Sequence, residues 1–242
     1  MDSHMHLGDC RVFGCNVTEE NLKEAMEKYQ LSGFILQPYP GASDEAEVHK
    51  RIYHLTQMYP GQIFGVASVN PHMDEKQYKA KIRKYITEYH FKAVKLHTIG
   101  HAVHPFSRDA HMVAETAAEL GVPVNVHTGP GVPFSLPSLL MPLVKEFPDT
   151  RFILAHSGAG LYFGEALLLA RECANVFLEM SWCSAEDADT AIRSLGSGRV
   201  MFGSDSLMNI GPGMDVFRRL ELGKEDQENV FYYTAAEAFS LL

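Results

Sequence analysis

Short apolar runs alternate with amphipathic stretches along the whole chain. The runs are rich in Val, Ile, Leu and Phe, as expected of β-strands that are covered on both faces. Successive runs are separated by enough residues for one crossover helix, which favours a parallel sheet. The pattern predicts eight strands, at Met1–His6, Gly33–Pro40, Ile63–Pro71, Phe91–His97, Val122–His127, Arg151–His156, Val176–Trp182 and Arg199–Asp205.

The segments between these runs predict helices. Thr18 offers an N-cap for the first of them, and Gly121 and Gly196 stand just past two others, where helices commonly end. Pro142 weakens the fifth segment, because an interior proline breaks the backbone hydrogen bonding of a helix. The predicted helices are Leu22–Tyr29, Ser43–Tyr59, Asp74–Tyr89, Ser107–Leu120, Leu136–Phe147, Ala159–Ala174, Ala185–Leu195 and Glu225–Leu242.

The regular alternation of strands and helices predicts an α/β fold. Eight units of nearly even spacing favour a single (β/α)8 TIM barrel, which typically takes about 250 residues, over a doubly wound open sheet. The chain has 242 residues, and no low-complexity stretch or Pro/Ser-rich linker divides it. We therefore expect one domain that spans residues 1–242.

Composition and charge narrow the range of partners. The chain carries 21 Lys and Arg against 30 Asp and Glu, a net charge of −9, which disfavours nucleic acid and anionic membranes. It has no apolar run of about 20 residues that could span a bilayer, and because Met1–His6 has no basic start and no apolar stretch, we expect no signal peptide. Four cysteines are too few for a disulfide scaffold of this size. We expect a cytoplasmic protein that acts on a small molecule, with homo-oligomerisation left open.

Eleven of the twelve histidines fall into two groups, and His72, which follows a predicted strand, is assigned to neither. Those in helical segments or at their ends are expected on solvated helix surfaces, and they are His49, His54, His90 and His111. A larger group lies at the ends of predicted strands or in the loops that follow, and consists of His4, His6, His97, His101, His104, His127 and His156. In a parallel barrel these ends form one rim, which is where active sites lie.

The spacing within strands indicates a metal site on that rim. Side chains at positions i and i+2 of a strand share a face, so His4 and His6 can reach one ion. His127 ends the fifth strand and Asp205 the eighth, where Gly203 on the same face leaves room inside the barrel. Any one of these polar residues could simply make a structural hydrogen bond. Three imidazoles and a carboxylate together suit zinc, iron, manganese or nickel.

The ordered motifs resemble the amidohydrolase superfamily. More narrowly, they resemble its compact amidohydrolase-2 branch, which contains predicted TIM-barrel metal-dependent hydrolases and the related aminocarboxymuconate-semialdehyde-type decarboxylases. A His-x-His pair alone is weak evidence, whereas five motifs in the right order at the right strands cover essentially the whole chain. The motifs are Asp2–Gly8, Phe91–His97, Pro123–Gly129, Phe152–Gly158 and Phe202–Asp205.

This resemblance implies a role for each matching position. His4, His6, His127 and Asp205 would hold a divalent metal, with one Zn²⁺ expected and a second left open. His156 and Asp205 would be catalytic: His156 would orient or activate a metal-bound water or contact the substrate, and Asp205 would shuttle protons. A metal with an open coordination position lowers the pKa of bound water to near 7 and polarises a carbonyl.

Lys95 departs from part of the superfamily. Phosphatase- and nuclease-like relatives often carry Glu on strand four, where this chain has Lys95. A carboxylated Lys95 would bridge two metal ions, whereas a plain lysine would pair with a substrate carboxylate or with an inward carboxylate such as Glu179. Lys95 and its strand neighbour His97 are thus candidates for a second-metal or substrate contact.

The loops after the strands offer candidates for substrate contact. His101 and His104 lie in the loop Thr98–Phe106, and rim loops of this kind usually contact substrate. Trp182, the only tryptophan, ends strand seven, where an aromatic ring can wall a pocket. Gly211–Met214 predicts a turn at the mouth of the barrel.

Three functions compete at this point. The leading hypothesis is a hydrolase that cleaves a small-molecule amide, lactone or ester with metal-activated water. The alternative is a non-oxidative, metal-dependent decarboxylase of the same superfamily. The third is a non-catalytic barrel that binds a metal or a small ligand, against which the complete ligand set argues.

Overall fold

Eight parallel strands form the wall of a barrel in the computed structural model, which describes residues 1–242. Neighbours in the sheet follow chain order, and backbone hydrogen bonds from Ser3 N to Phe202 O and from Asp205 N to His4 O join its first and last strands. A ninth, short strand, β2, pairs antiparallel with the end of β1. The strands are β1 Asp2–Cys10, β2 Cys15–Val17, β3 Phe34–Pro38, β4 Ile63–Ala67, β5 Ala93–Leu96, β6 Val124–His127, β7 Phe152–Ala155, β8 Val176–Glu179 and β9 Val200–Met201.

Ten α-helices connect or follow the strands, and their ends match the sequence signals. Thr18 caps α1 in a capping box with Asn21, and Gly121 ends α4 with the left-handed φ of 67° that a glycine adopts readily. The helices are α1 Glu19–Tyr29, α2 Glu45–Met58, α3 Glu75–Thr87, α4 Arg108–Leu120, α5 Met141–Glu146, α6 Phe163–Glu172, α7 Ala185–Leu195, α8 Ile210–Arg218, α9 Lys224–Glu228 and α10 Thr234–Ala238.

Short 3₁₀ turns and one π-helical turn complete the secondary structure. The 3₁₀ turns are Pro133–Ser135, Pro137–Leu140, His156–Gly158, Ser197–Arg199 and Leu207–Asn209. The π-helical turn Asn229–Tyr233 lies between α9 and α10 and interrupts the predicted final helix, whose last part ends at Ala238. None of the helices is both long and apolar enough to cross a membrane.

The predicted α/β TIM-barrel fold is confirmed, and its local errors have physical causes. The predicted helix Leu136–Phe147 divides at Met141, next to Pro142, into a 3₁₀ turn and α5. The prediction of a turn at Gly211–Met214 is wrong, because these residues begin α8. Pro212 lies in the first helical turn, where a backbone N–H has no partner within the helix and its loss costs little.

One buried histidine lies outside the barrel rim. His49, predicted on a solvated helix surface, is fully buried in α2. Its Nε2 accepts a hydrogen bond of 3.0 Å from the backbone of Ser68, and its ring stacks on Tyr85 at 4.2 Å between centroids. The prediction for His49 is therefore wrong, because α2 turns this side chain inward.

The barrel interior changes character along its strands. Near the strand starts, buried apolar side chains close the interior; this apolar floor consists of Ile35, Ala93, Ile153, Phe177 and Met201. Side chains two positions further along a strand point to the same face. At those positions the interior carries a polar layer, which consists of Gln37, Lys95, Asn125 and Glu179, all buried. The polar layer therefore lies on the C-terminal side of the floor, below the rim that holds the histidines.

Candidate metal centre

His4, His6 and Asp205 meet at the rim of the barrel. His6 Nε2 lies 3.1 Å from Asp205 Oδ1, and His4 Nε2 lies 3.5 Å from the same oxygen. The hydrogen bond from Asp205 N to His4 O holds Asp205 against β1, with a left-handed φ of 65°. The carboxylate of Asp2 accepts from the backbone N–H and the hydroxyl of Ser204 and so anchors the neighbouring residue as well. The first and last strands thus bring together three of the four predicted metal ligands.

The hydrogen-bond partners of the two Nδ1 atoms determine which imidazole nitrogens carry protons. His4 Nδ1 lies 3.0 Å from Glu179 Oε2, and His6 Nδ1 lies 3.1 Å from the carbonyl oxygen of Pro38. A carboxylate and a carbonyl oxygen only accept hydrogen bonds, so both Nδ1 atoms donate. Both Nε2 atoms then present lone pairs to a carboxylate oxygen of Asp205. Three electron-pair donors at these distances fit a divalent transition metal of the zinc or manganese type.

Gln37 of the polar layer reaches the same point and was missed from the sequence. Its Nε2 lies 2.6 Å from His4 Nε2 and 3.4 Å from His6 Nε2, while its buried Oε1 has no hydrogen-bond partner. The amide donates to the lone pairs that a cation would use, which marks this point as the meeting place of the donor atoms. The available signal was that Gln37 interrupts an otherwise apolar run.

His127 lies beside this group and contacts it through His156. His127 Nδ1 is 3.2 Å from His156 Nε2, and the His156 ring lies 4.9 Å from that of His4. On its other side, His127 stacks on His97 at 4.5 Å between centroids. The structure thus places His127 next to the three converging donors, and its role as a fourth metal ligand stays a prediction.

Burial keeps the imidazoles of His4, His97, His127 and His156 neutral. Desolvation lowers the pKa of His4, His97 and His127 well below the ordinary value, and it lowers the pKa of His156 to about 4. Burial alone would raise the pKa of Asp205, but the histidines around it hold it well below its usual range. Neutral imidazoles and an ionised carboxylate are the protonation states that a metal ion requires.

Glu179 stands behind the histidines and accepts four hydrogen bonds. Two come from the backbone N–H groups of His156 and Ser181, at 3.0 and 2.6 Å, and two from His4 Nδ1 and the Ser181 hydroxyl, at 3.0 and 2.9 Å. Burial raises the pKa of Glu179, and His156 and the donors oppose this shift. A Cβ on Gly203 would lie 2.5 Å from Glu179 Oε1, so the glycine makes room for this carboxylate.

Lys95 is a buried cation without a carboxylate partner. Its side chain is 1% exposed, and its Nζ donates one hydrogen bond, of 3.3 Å, to Asn125 Oδ1. It forms no ion pair with Glu179 or any other carboxylate within 4.0 Å, which answers one of the alternatives raised by the sequence. Desolvation lowers the pKa of Lys95 to about 8, against the attraction of Asp205 and Glu179. An ammonium group has three N–H donors, so donors remain for an anion.

The residues predicted to contact substrate differ in how they relate to the site. Trp182 is half exposed, and its Nε1 donates a 2.8 Å hydrogen bond to Asp205 Oδ2, which places it in the site. His104 is partly buried, and its Nδ1 accepts a hydrogen bond from the backbone N–H of Phe106. His101 is buried next to His97, with 5.8 Å between ring centroids, and its Nδ1 has no hydrogen-bond partner.

The fold and this site define a class of protein, namely (β/α)8 barrels with a metal-capable histidine–aspartate group at the C-terminal rim. The model of the Amidohydrolase family matches residues 23–241. The chain therefore belongs to the amidohydrolase family, and the resemblance found in its motifs is confirmed. Because the matched range begins after His4 and His6, it is the structure that joins these two residues to the rest of the site.

Several solved structures share this fold. The dihydroxybenzoic acid decarboxylase of Polaromonas, with bound manganese and 2-nitroresorcinol, is 16% identical, covers 100% of this chain and 98% of its own, and has a TM-score of 0.76. The 5-carboxyvanillate decarboxylase of Sphingomonas paucimobilis is 15% identical, covers 95% and 84%, and has a TM-score of 0.75. The 4-oxalomesaconate hydratase of Rhodopseudomonas palustris is 18% identical, covers 92% and 80%, and has a TM-score of 0.71. Among curated proteins, none matches this chain.

Proposed function

We propose that this protein is a non-oxidative, divalent-metal-dependent decarboxylase of a small carboxylic acid. The observation that carries the proposal is the buried, unpaired ammonium of Lys95 in the polar layer below the metal-capable group. Keeping a charge buried without a counterion is costly, and a substrate carboxylate would supply the missing charge. A neutral amide, lactone or ester brings no carboxylate to pair with this cation.

The similar solved structures support the same choice. They include decarboxylases of dihydroxybenzoic acid and of 5-carboxyvanillate, one of which holds manganese. These names favour decarboxylation over the hydrolysis that the sequence alone puts first. They also point to hydroxylated aromatic acids as the first substrates to test.

The donor set fits a resident metal ion. We propose that His4, His6, Asp205 and His127 hold it, with manganese as the first candidate beside zinc. When bound, the ion would supply Lewis acidity that binds substrate oxygens and stabilises negative charge on the substrate. Trp182 Nε1, bonded to Asp205 Oδ2, would keep the carboxylate in position.

The chain's own residues account for the remaining needs of the reaction. Breaking the bond between carbon and carboxylate releases CO2 and leaves an electron pair on the carbon, which then takes up a proton. Lys95 would hold the carboxylate until the bond breaks. Asp205 and His156 would pass the proton from solvent to that carbon, so that hydrogen replaces the carboxylate in the product.

The proposal is tested by product analysis. Purified protein loaded with Mn²⁺ or Zn²⁺ is incubated with 2,6-dihydroxybenzoate, with 5-carboxyvanillate, and with a panel of esters, lactones and amides. We expect CO2 and the decarboxylated product from an acid. Hydrolysis products without CO2 would establish the hydrolase instead, and a metal-loaded protein that turns over neither group would indicate the non-catalytic barrel.

A substitution of Lys95 tests directly whether its unpaired ammonium binds the substrate carboxylate. Lys95→Met keeps the side-chain volume and removes the charge, and we expect KM for the acid to rise about 10- to 100-fold, the range for loss of a hydrogen bond to a charged group. Lys92→Met, which lies just before β5, serves as the matched control and should leave KM unchanged. An unaltered KM in the Lys95 variant would remove this residue from substrate binding.

A further inference from the structure

The four groups that hydrogen-bond to Glu179 differ in whether they can also accept a hydrogen bond. The backbone N–H groups of His156 and Ser181 can only donate, so both carboxylate oxygens are already committed as acceptors. The Ser181 hydroxyl, 2.9 Å from Glu179 Oε2, and His4 Nδ1, 3.0 Å from the same oxygen, complete the set. A carboxylate with two oxygens accepts all four of these bonds without a proton of its own.

The direction of the bonds then continues through Ser181. Its hydroxyl has one proton, which it gives to Glu179, so it must accept from His156 Nδ1 at 2.7 Å. With its proton on Nδ1, neutral His156 has a lone pair on Nε2. The neighbour of that lone pair is His127 Nδ1, at 3.2 Å, which must therefore donate. His127 is left with a free lone pair on its own Nε2.

We infer that Glu179 is a positioning residue that sets the tautomers of three histidines. It acts directly on His4, and through Ser181 it acts on His156 and then on His127. The Nε2 atoms of His4 and His127 thereby keep the lone pairs that binding a cation requires, as outer hydrogen-bond partners do for metal-binding histidines. The inference rests on the proposed function only where it assigns those two lone pairs to a metal ion.

The fold holds this carboxylate in a fixed place. Glu179 ends β8, and Ser181 follows two positions later in the turn after this strand. The hydroxyl of Ser157 donates a 2.9 Å hydrogen bond to the backbone carbonyl of Glu179 and so joins this strand end to the turn after β7. Together with the space left by Gly203, these contacts fix the carboxylate before any ion or substrate is present.

The tautomers can be read directly by ¹⁵N NMR of the imidazole nitrogens in the metal-free protein. We expect His4, His127 and His156 each to carry the proton on Nδ1. Ser181→Ala should leave His4 unchanged while His156 and His127 lose their single tautomer, and Glu179→Gln should disturb all three. Thr116→Val, which removes another buried hydroxyl, in α4, is the matched control and should change none of them.

Two NMR results would overturn the inference. One is a proton on Nε2 of His156 or His127 in the unmodified protein, and the other is a Ser181→Ala spectrum identical to that of the unmodified protein. If Glu179→Gln does not fold, as circular dichroism would show, Ser181→Ala still tests the longer branch. These measurements need no metal and no substrate, so their outcome does not depend on the proposed function.

Metal affinity gives the second readout. Glu179→Gln should weaken Mn²⁺ binding measured by calorimetry about 10- to 100-fold, as expected when an outer partner of metal-binding histidines is lost. Ser181→Ala should weaken it less, and Ser181→Thr, which keeps the hydroxyl, should restore it. Unchanged affinity in Glu179→Gln would contradict the assigned lone pairs. If the unmodified protein binds no Mn²⁺ while the tautomers are as expected, the proposed function fails and the positioning role remains.

Discussion

The two ends of the barrel interior are built by the same strands and behave oppositely. Ile35, Ala93 and Phe177 belong to the apolar floor, and two positions further along, the same three strands carry Gln37, Lys95 and Glu179. Burial stabilises the floor, whereas it costs free energy in the polar layer unless each group finds a partner. A step of two residues along a strand therefore separates residues that stabilise the barrel from residues that are positioned for chemistry.

The largest expected effect is loss of the metal from the polar end. His127→Ala removes the one predicted ligand that lies outside the group of three converging donors, and we expect bound Mn²⁺ to fall from about one ion per chain to none. Metal analysis after dialysis measures this. His49→Ala, a buried histidine away from the rim, is the control and should keep the ion. Full occupancy in the His127 variant would exclude it as a ligand.

A substitution in the apolar floor should have the converse effect. Phe177→Ala leaves a cavity and should lower the free energy of unfolding by about 3–5 kcal/mol, measured by urea denaturation. Metal affinity of the folded protein should stay within a few-fold of the original. If affinity falls as far as stability does, the two ends of the interior are not separable in the way the structure indicates.

Lys95 predicts a pH dependence that the floor lacks. Its pKa is about 8 in the folded protein against 10.5 in the ordinary state, so between these values the unfolded chain binds more protons. Stability of the metal-free protein should therefore rise with pH from about 8 to 10.5, by at most about 3 kcal/mol from this group. The difference between the protein and Lys95→Met in urea denaturation isolates the effect. A difference that does not vary with pH would refute the depressed pKa.

The smallest effect belongs to the rim. Trp182→Phe keeps an aromatic ring and removes the hydrogen bond to Asp205 Oδ2. Because the indole is half exposed, the loss should be close to that of one ordinary hydrogen bond, about 1 kcal/mol, or a few-fold in kcat. Steady-state kinetics with the substrate found by product analysis would measure it, and a drop of several orders of magnitude would assign Trp182 a direct part in the reaction.

The sequence predicts the wall of the barrel well because the strands are continuous apolar runs. It also predicts that His4, His6 and Asp205 meet, since strand ends share one rim. The partners of these residues are harder to foresee. Gln37 lies on β3, Glu179 on β8 and Ser181 just after β8. Which side chains touch across a barrel depends on the stagger between strands, which no local pattern reveals.

Helix α8 and His49 show the same limit from two sides. A Gly-Pro-Gly segment is typical of a turn, yet here it begins a helix packed on the barrel, with Gly213 close to Phe202. A histidine within a polar helix is typical of the surface, yet His49 faces inward. In both cases contacts between distant segments override the local preference. The choice between hydrolysis and decarboxylation also depends on contacts between distant segments, because only the fold shows that Lys95 has no carboxylate partner.

The hydrogen bond between His4 and Asp205 that closes the barrel has a consequence for how the site comes into being. During synthesis His4 and His6 emerge first, and Asp205 follows only after the seven further wall strands, β3 to β9, have been made. A partly synthesised barrel lacks Asp205 and cannot offer the full set of donors. Binding of a metal ion would therefore show that the barrel has closed. Any ion held there would in turn oppose fraying of the seam between the first and last strands, in proportion to its affinity and concentration.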